Sequence, residues 1–272
     1  MADALFEQID EGLYRATEAT LSPWGDQSLH GGPPTMLMAR ELERFSADQP
    51  MFVARLTVEL LRPVGRTPLG VSSRLVRPGR KVHLVEASLW NGEQEVARTT
   101  ALRMRVGEVG VPVDDQPLPH PPPESLPEWS GGWRPGAAYH LQGVEVRGPA
   151  QERREVGPGW AWFRLRLPLV EGEVPSGLVR ICAAADFPNG ISHVVDPRRT
   201  SFLNPDLTIH VHRLPVDEWV MVDAATWLAP QGVGVAEGAL YDRRGRIGSS
   251  AQSLLVEPRG GSSTQKVGLP PP

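Results

Sequence analysis

The strongest structural signal in the chain is the stretch covering residues 176–213, SGLVRICAAADFPNGISHVVDPRRTSFLNPDLTIHVHR. Small apolar residues at 182–185 precede a single acid, Asp186, and such residues typically pack a helix closely against a sheet. After a loop, the stretch predicts a strand that contains Thr208. A carboxylate in this setting needs polar partners, because an unpaired charge is expensive to bury. We expect Thr208 and the later residue Gln252 to be those partners.

The first half of the chain predicts one helix followed by a run of antiparallel strands. His30-Gly31-Gly32 precedes two prolines, which a helix tolerates in its first turn, so a helix is expected to run to about residue 45. Asn91-Gly92 gives a strong hairpin signal between two of the strands. The strands are predicted at 53–61, 71–76, 81–90 and 94–106, and residues 5–20 are compatible with an earlier strand or hairpin.

The second half repeats this order. A strand at 160–167 and a helix at 176–187 are predicted, with later strands at 207–212, 219–227, 232–241 and 248–257. The halves align without a gap over a useful span, since residues 55–58 match 206–209, and 89–91 match 240–242 at the same offset. Equal order, spacing and residue type indicate an internal duplication.

The repeats are predicted to span residues 1–106 and 137–258, with a linker at 107–136 and a flexible tail at 259–272. The linker holds eight prolines, too many for a helix or a central strand, while Trp129 and Trp133 indicate that part of it packs on a domain. One helix against a long antiparallel sheet, formed twice, predicts an α+β fold of the double hotdog type. In this fold two antiparallel sheets each wrap around a central helix and pair side by side.

Composition narrows the functional classes. The chain has 272 residues and a net charge of −4, which provides no basic face for nucleic acid. Its single cysteine, Cys182, excludes an intramolecular disulfide and a cysteine-based metal cluster. There is no signal-peptide pattern and no apolar run near the ~18 residues of a membrane span. We expect a cytoplasmic protein without a membrane span, and self-association into a homo-oligomer stays open.

Six motifs in the same order resemble the thioesterase-like proteins related to bacterial acyl-CoA thioesterase II. The motifs are His30-Gly31-Gly32, Ala184-Ala185-Asp186, Asn204-Pro205-Asp206-Leu207-Thr208, Trp219-Val220-Met221-Val222-Asp223, Leu240-Tyr241-Asp242 and Ala251-Gln252-Ser253-Leu254-Leu255-Val256. The resemblance covers nearly the whole chain except the linker and the tail. It implies a double hotdog that binds acyl-CoA and hydrolyses the thioester, with no cofactor.

The resemblance also implies roles for individual residues. Water would be held by an Asp, a Thr and a Gln, which by position are Asp186, Thr208 and Gln252. A carboxylate can take a proton from water, and a hydroxyl and an amide can orient both groups. His30-Gly31-Gly32 would bind substrate, with N–H groups at the helix start facing the thioester oxygen across the repeat interface as an oxyanion hole.

The orientation of Thr208 is a difficulty for this assignment. Strict alternation along its strand places Leu207 and Ile209 on one face and Thr208 on the other. If the apolar face meets the helix, Thr208 points away from Asp186. It would reach Asp186 only if a bulge re-aims it, or if the polar face lines the cleft between the repeats.

The first repeat offers neither an acid nor an amide at the matching positions, which are Thr35, Thr57 and Ala101. One competent site per chain is therefore expected. Two other functions stay open, an enoyl-CoA hydratase-like enzyme and a non-catalytic acyl-CoA or lipid-binding protein. His210 and His212 share a strand face but lack a third ligand, so no metal site is predicted.

Overall fold

The protein is described by a computed structural model over residues 2–23, 27–111, 116–130, 138–149, 156–196 and 199–259. The first repeat consists of β1 (Phe6–Asp10), β2 (Leu13–Ala16), α1 (Gly32–Arg44), β3 (Met51–Leu60), β4 (Leu69–Arg77), β5 (Val82–Asn91) and β6 (Gln94–Arg105). The predicted hairpin between β5 and β6 is confirmed. Gly92 has a φ of 58°, a left-handed conformation that glycine adopts without steric cost.

The second repeat has the same plan with additional short elements. It consists of β7 (Val144–Arg147), β8 (Gly159–Leu165), α2 (Gly177–Ala185), α3 (Pro188–Ile191), β9 (Thr200–Leu203), β10 (Asp206–Val211), β11 (Val220–Leu228), β12 (Val233–Asp242) and β13 (Gly245–Pro258). The Ser176 side chain accepts a hydrogen bond from the Val179 N–H and so caps the start of α2. The helix ends at Ala185, two residues earlier than the apolar pattern predicts, and Asp186 is its C-terminal cap.

Within the described residues the strands form one sheet of 13, in which the two repeats join edge to edge. The order along the sheet is β1-β2-β4-β5-β6-β3-β10-β13-β12-β11-β8-β7, with β9 paired to β13. The order on one side of the β3–β10 joint mirrors the order on the other. At the joint Thr57 lies directly opposite Thr208. Equivalent residues therefore face each other across an approximate twofold axis, which confirms the predicted double hotdog.

The helices lie on one face of the sheet and share a continuous apolar core. Met36, Met38 and Leu42 of α1 are fully buried, as are Ile181 and Ala184 of α2. The core includes residues of both repeats, and α1 and α2 contact each other. Burial around most of α1 confirms the prediction of a deeply buried helix.

The described part of the proline-rich segment packs on the second repeat. The Trp162 indole N–H donates to the Pro121 carbonyl at 2.9 Å, and Trp129 is 5% exposed with its backbone N–H bonded to the Val146 carbonyl. Trp162 belongs to an apolar cluster separate from the main core. Trp133 and residues 260–272 of the predicted tail lie outside the described residues. No helix in the described ranges is long and apolar enough to cross a membrane.

One detail of the predicted duplication is wrong. The joined strands are 151 positions apart (208 − 57), but α1 and α2 begin 145 positions apart (177 − 32). Thr35 lies in the first turn of α1, whereas Asp186 lies at the end of α2, so these two are not equivalent. Counting from the helix starts, the counterpart of Asp186 is Glu41, whose carboxylate accepts from the Ser73 hydroxyl at 2.7 Å.

Candidate active site

The carboxyl of Asp186 is the centre of a buried polar cluster between the repeats. The residue is 5% exposed and follows the last turn of α2. Its partners come from three further places: β13, the loop before β10, and the start of α1 in the other repeat. A carboxylate at this depth requires such partners, because desolvation penalises its charged form.

The Oδ1 atom of Asp186 accepts two side-chain amides. Gln252 Nε2 donates to it at 2.8 Å, and Asn204 Nδ2 donates at 2.9 Å. Gln252 is 1% exposed and lies on the inward face of β13, while Ala251 beside it is half-buried on the outward face. The Asn189 backbone N–H donates to Gln252 Oε1 at 3.4 Å, which leaves the Gln252 amide nitrogen turned towards the acid.

The Oδ2 atom of Asp186 faces the start of α1 from the first repeat. His30 Nδ1 lies 3.1 Å from Oδ2, and the Gly32 N–H donates to the same Nδ1 at 3.1 Å. A Cβ added at Gly31 would lie 2.7 Å from Oδ2, well inside a normal contact. Glycine is required here because the backbone of one repeat approaches the acid of the other directly.

Aromatic side chains surround His30 on its remaining sides. Its ring centroid lies 4.9 Å from those of Tyr139 and His140 and 5.1 Å from that of Phe187. Tyr139 and His140 are both brought here by a π-helical turn, Tyr139–Gly143. Such turns are rare and occur frequently at functional sites. The sequence contains no signal for this turn, which follows the proline-rich segment.

Burial sets the protonation of the cluster. It raises the pKa of the Asp186 carboxyl from 3.8 to about 7, although the amides of Asn204 and Gln252 favour the ionised form. The Gly32 N–H also lies close enough to the carboxyl to lower this pKa. Burial lowers the pKa of His30 from 6.5 to about 3. The close contact between His30 and Asp186 therefore joins a neutral imidazole to the acid and is not an ion pair at neutral pH.

The predicted site residues fall into two groups. The structure brings Asp186, Gln252 and the His30-Gly31-Gly32 segment together. It does not bring Thr208 to them: no hydrogen bond joins Thr208 to Asp186 within the described residues. Thr208 lies opposite Thr57 and Ala251, on the outward face of the sheet. The strand pairs of β10 have no register shift, so no bulge turns Thr208 inward.

Asn204 is the residue of this polar cluster that sequence reasoning missed. It belongs to the Asn204-Pro205 pair just before β10, where the backbone is not periodic and alternation predicts no side-chain direction. The Leu60 N–H donates to the Pro205 carbonyl at 2.7 Å, which ties this loop to the first repeat. A signal was present, because Asn204 opens the Asn204-Pro205-Asp206-Leu207-Thr208 motif on which the family resemblance partly rests.

The matching positions in the first repeat do not form a similar site. Ala101, which aligns with Gln252, is fully buried on β6 and carries no amide. Within the described ranges, no group of three or more His, Cys, Asp or Glu residues is arranged to hold a metal ion. His210, named above with His212, has an exposed side chain on the outward face of β10.

The chain belongs to the acyl-CoA thioesterase family. Residues 20–104 match the acyl-CoA thioesterase N-terminal domain, and residues 112–256 match the acyl-CoA thioesterase C-terminal domain. The protein is accordingly a thioester hydrolase of the double hotdog class. No curated protein matches the sequence.

Solved structures share the fold over nearly the whole chain. A proposed thioesterase II from Thermobifida fusca superposes with a TM-score of 0.74 at 19% identity, covering 94% of this chain and 96% of that one. The acyl-CoA thioesterase II TesB2 of Mycobacterium marinum gives 0.66 at 17% identity, covering 95% and 97%. A hotdog protein of unknown function from Alicyclobacillus acidocaldarius gives 0.72 at 15% identity, covering 94% and 97%. At these identities the likeness shows the fold.

Proposed function

We propose that this chain hydrolyses acyl-CoA thioesters with a water molecule activated by Asp186 and oriented by the amides of Gln252 and Asn204. The observation that carries the proposal is the buried carboxyl with two side-chain amides on Oδ1. Asn204 replaces Thr208 in this assignment. A carboxyl whose pKa is about 7 suits general-base catalysis, because at neutral pH part of it is ionised and that form is still basic enough to accept a proton.

The reaction needs no covalent intermediate. Ionised Asp186 takes one proton from water while the water oxygen forms a bond to the thioester carbon, which gives a tetrahedral oxyanion. The oxyanion then collapses, the carbon–sulfur bond breaks, and the proton held by Asp186 passes to the leaving sulfur. The products are a free acid and CoA thiol, and Asp186 returns to its starting state.

The Gly31 N–H is the donor that stabilises the oxyanion in this mechanism. Within the described residues its N–H has no hydrogen-bond partner, whereas the Gly32 N–H is bonded to His30 Nδ1. Gly31 is the N-cap residue of α1, where the helix dipole favours negative charge. It also adjoins Oδ2 of Asp186, so a carbonyl bound there would lie beside the attacking water. Loss of one oxyanion donor typically costs about 10²–10³ in kcat.

The test measures thiol release from short, medium and long acyl-CoAs by wild type and by Asp186→Asn. We expect Asp186→Asn to lower kcat by at least 10²-fold while acyl-CoA binding, measured by calorimetry, is retained. Asp223→Asn is the matched control, because Asp223 also lies 3.1 Å from a histidine, His120, but on the outside of the second repeat. Unchanged turnover in Asp186→Asn would exclude Asp186 as the base. Binding without thiol release by wild type would indicate a non-catalytic acyl-CoA-binding protein.

A single turnover in H₂¹⁸O tests the direct attack. Attack by water places one ¹⁸O atom in the product acid in the first turnover. Attack by the Asp186 carboxylate would form an anhydride, and attack of water on the aspartyl carbon of that anhydride would leave the label in the protein and give an unlabelled first product. Label found in Asp186 would therefore refute the mechanism proposed here.

A further inference from the structure

The hydrogen-bond donors and acceptors around His30 define which nitrogen carries its proton. The Gly32 N–H donates to Nδ1 at 3.1 Å, so Nδ1 offers a lone pair and the proton of the neutral ring lies on Nε2. Nδ1 also lies 3.1 Å from Oδ2 of Asp186. An ionised carboxylate has only acceptor atoms. Two acceptors at this distance, with no proton between them, repel each other.

We propose that His30 is a positioning residue whose Nδ1 accepts the acid proton of Asp186, so that the resting site contains a neutral carboxylic acid protonated on Oδ2. This inference rests on the proposed function of the site and adds its regulation by pH. Oδ1 remains the acceptor for the two amides, so the two oxygens of the acid have different roles. Hydrolysis then requires loss of the Oδ2 proton, and His30 opposes that loss by stabilising the protonated form.

Among the described residues, no other ionisable group close to the pair supplies a competing charge. The described titratable groups close to it are Tyr139 and His140 of the π-helical turn, and Cys182 of α2 lies close to Tyr139. Burial raises the pKa of Tyr139 and of Cys182 and lowers that of His140, so all three are neutral at pH 7. The elements that bring Gln252 and Asn204 contribute amides to the acid. His30 is thus the neighbour whose acceptor atom stabilises the protonated form of Asp186 relative to the ionised form.

The first experiment observes the wild-type protein directly. Specific ¹⁵N labelling of histidine, with His30 assigned by His30→Asn, reports by NMR whether Nδ1 carries a proton. We expect the shift of an unprotonated, hydrogen-bond-accepting nitrogen at pH 6. A protonated Nδ1 would overturn the proposal, since His30 would then donate to an ionised carboxylate. This measurement does not depend on turnover, so it separates failure of the inference from failure of the proposed function.

The second experiment measures the pH dependence of kcat/KM. His30→Leu removes the acceptor, so the acid limb of the kcat/KM profile should move to lower pH by about one unit. This is the effect expected from losing one hydrogen bond that stabilises only the protonated form of Asp186. His30→Asn places an amide oxygen near Nδ1 and should restore the wild-type limb. The control is His120→Leu, in the contact with Asp223, and it should leave the limb unchanged. A limb that stays in place in His30→Leu, or moves to higher pH, would contradict the proposal.

Circular dichroism and thermal unfolding establish whether His30→Leu folds. If it does not fold, the NMR measurement on wild-type protein and the His30→Asn profile still decide the matter. Under the proposal, Asp186→Asn should keep Nδ1 unprotonated, because the introduced amide N–H can donate to Nδ1 as the acid does. A switch of the His30 tautomer in that variant would count against the assignment.

Discussion

Replacing Asp186 by asparagine should change how stability depends on pH. The pKa of Asp186 is raised from 3.8 to about 7 by burial, so between these values the native state holds a proton that the unfolded chain releases. The contribution of this acid to stability is therefore complete below pH 4 and is lost as the pH rises through 7. Asp186→Asn removes the titration and keeps a neutral group of the same shape, able to accept on one side and donate to His30 on the other.

The size of this change in stability follows from the shift in the pKa of Asp186. About three pKa units correspond to about 4 kcal/mol, or about 1.4 kcal/mol per pH unit. His30 has the opposite linkage, since its pKa falls from 6.5 to about 3 and stability rises with pH between those values. The pH dependence of stability that comes from His30 is present in wild type and in Asp186→Asn, so it cancels when one free energy of unfolding is subtracted from the other. The free energy of unfolding of Asp186→Asn, relative to that of wild type, should thus increase by up to about 4 kcal/mol between pH 4 and pH 8.

Parallel urea unfolding of both proteins at half-unit steps from pH 4 to pH 8 measures this difference. The slopes of the unfolding curves should agree, so that midpoints convert directly into free energies. Asp223→Asn controls for the substitution itself at an aspartate that also contacts a histidine. A difference that is constant with pH, or that falls as the pH rises, would show that Asp186 is not a neutral acid in the folded protein and would refute the reasoning.

Two further substitutions test the geometry of the site. Thr208→Val should change kcat/KM by less than about twofold, because its side chain lies on the outward face of the sheet. Thr57→Val, opposite it on the same face, should have an equally small effect. A loss of ~10²-fold in thiol release for Thr208→Val alone would show that Thr208 acts in the site. Gly31→Ala should lower kcat by about 10²-fold with the fold retained, since its Cβ would meet Oδ2 of Asp186 at 2.7 Å. Gly190→Ala is its control, as a Cβ there meets no described atom within 4 Å, and equal activity of the two variants would refute the close approach.

The sequence alone was sufficient for the architecture. Hydrophobic periodicity and turn residues are local properties of the chain, so one helix followed by antiparallel strands could be recognised in each half. The constant offset between the halves revealed the duplication and singled out Gln252 against Ala101. Alternation along β10 also indicated that Thr208 points away from the helix. The structure agrees with alternation and not with the role that the family resemblance implied for this residue.

Only the tertiary structure decided which groups meet at the acid. Asn204 lies in a loop, where no period relates position to side-chain direction, and it reaches Asp186 because the loop is anchored to Leu60 of the other repeat. His30 is 156 positions from Asp186 (186 − 30), and their 3.1 Å contact exists because the two sheets join through β3 and β10. The identity of a strand is set by its own residues. The pKa of a buried acid is set by what the whole fold places around it.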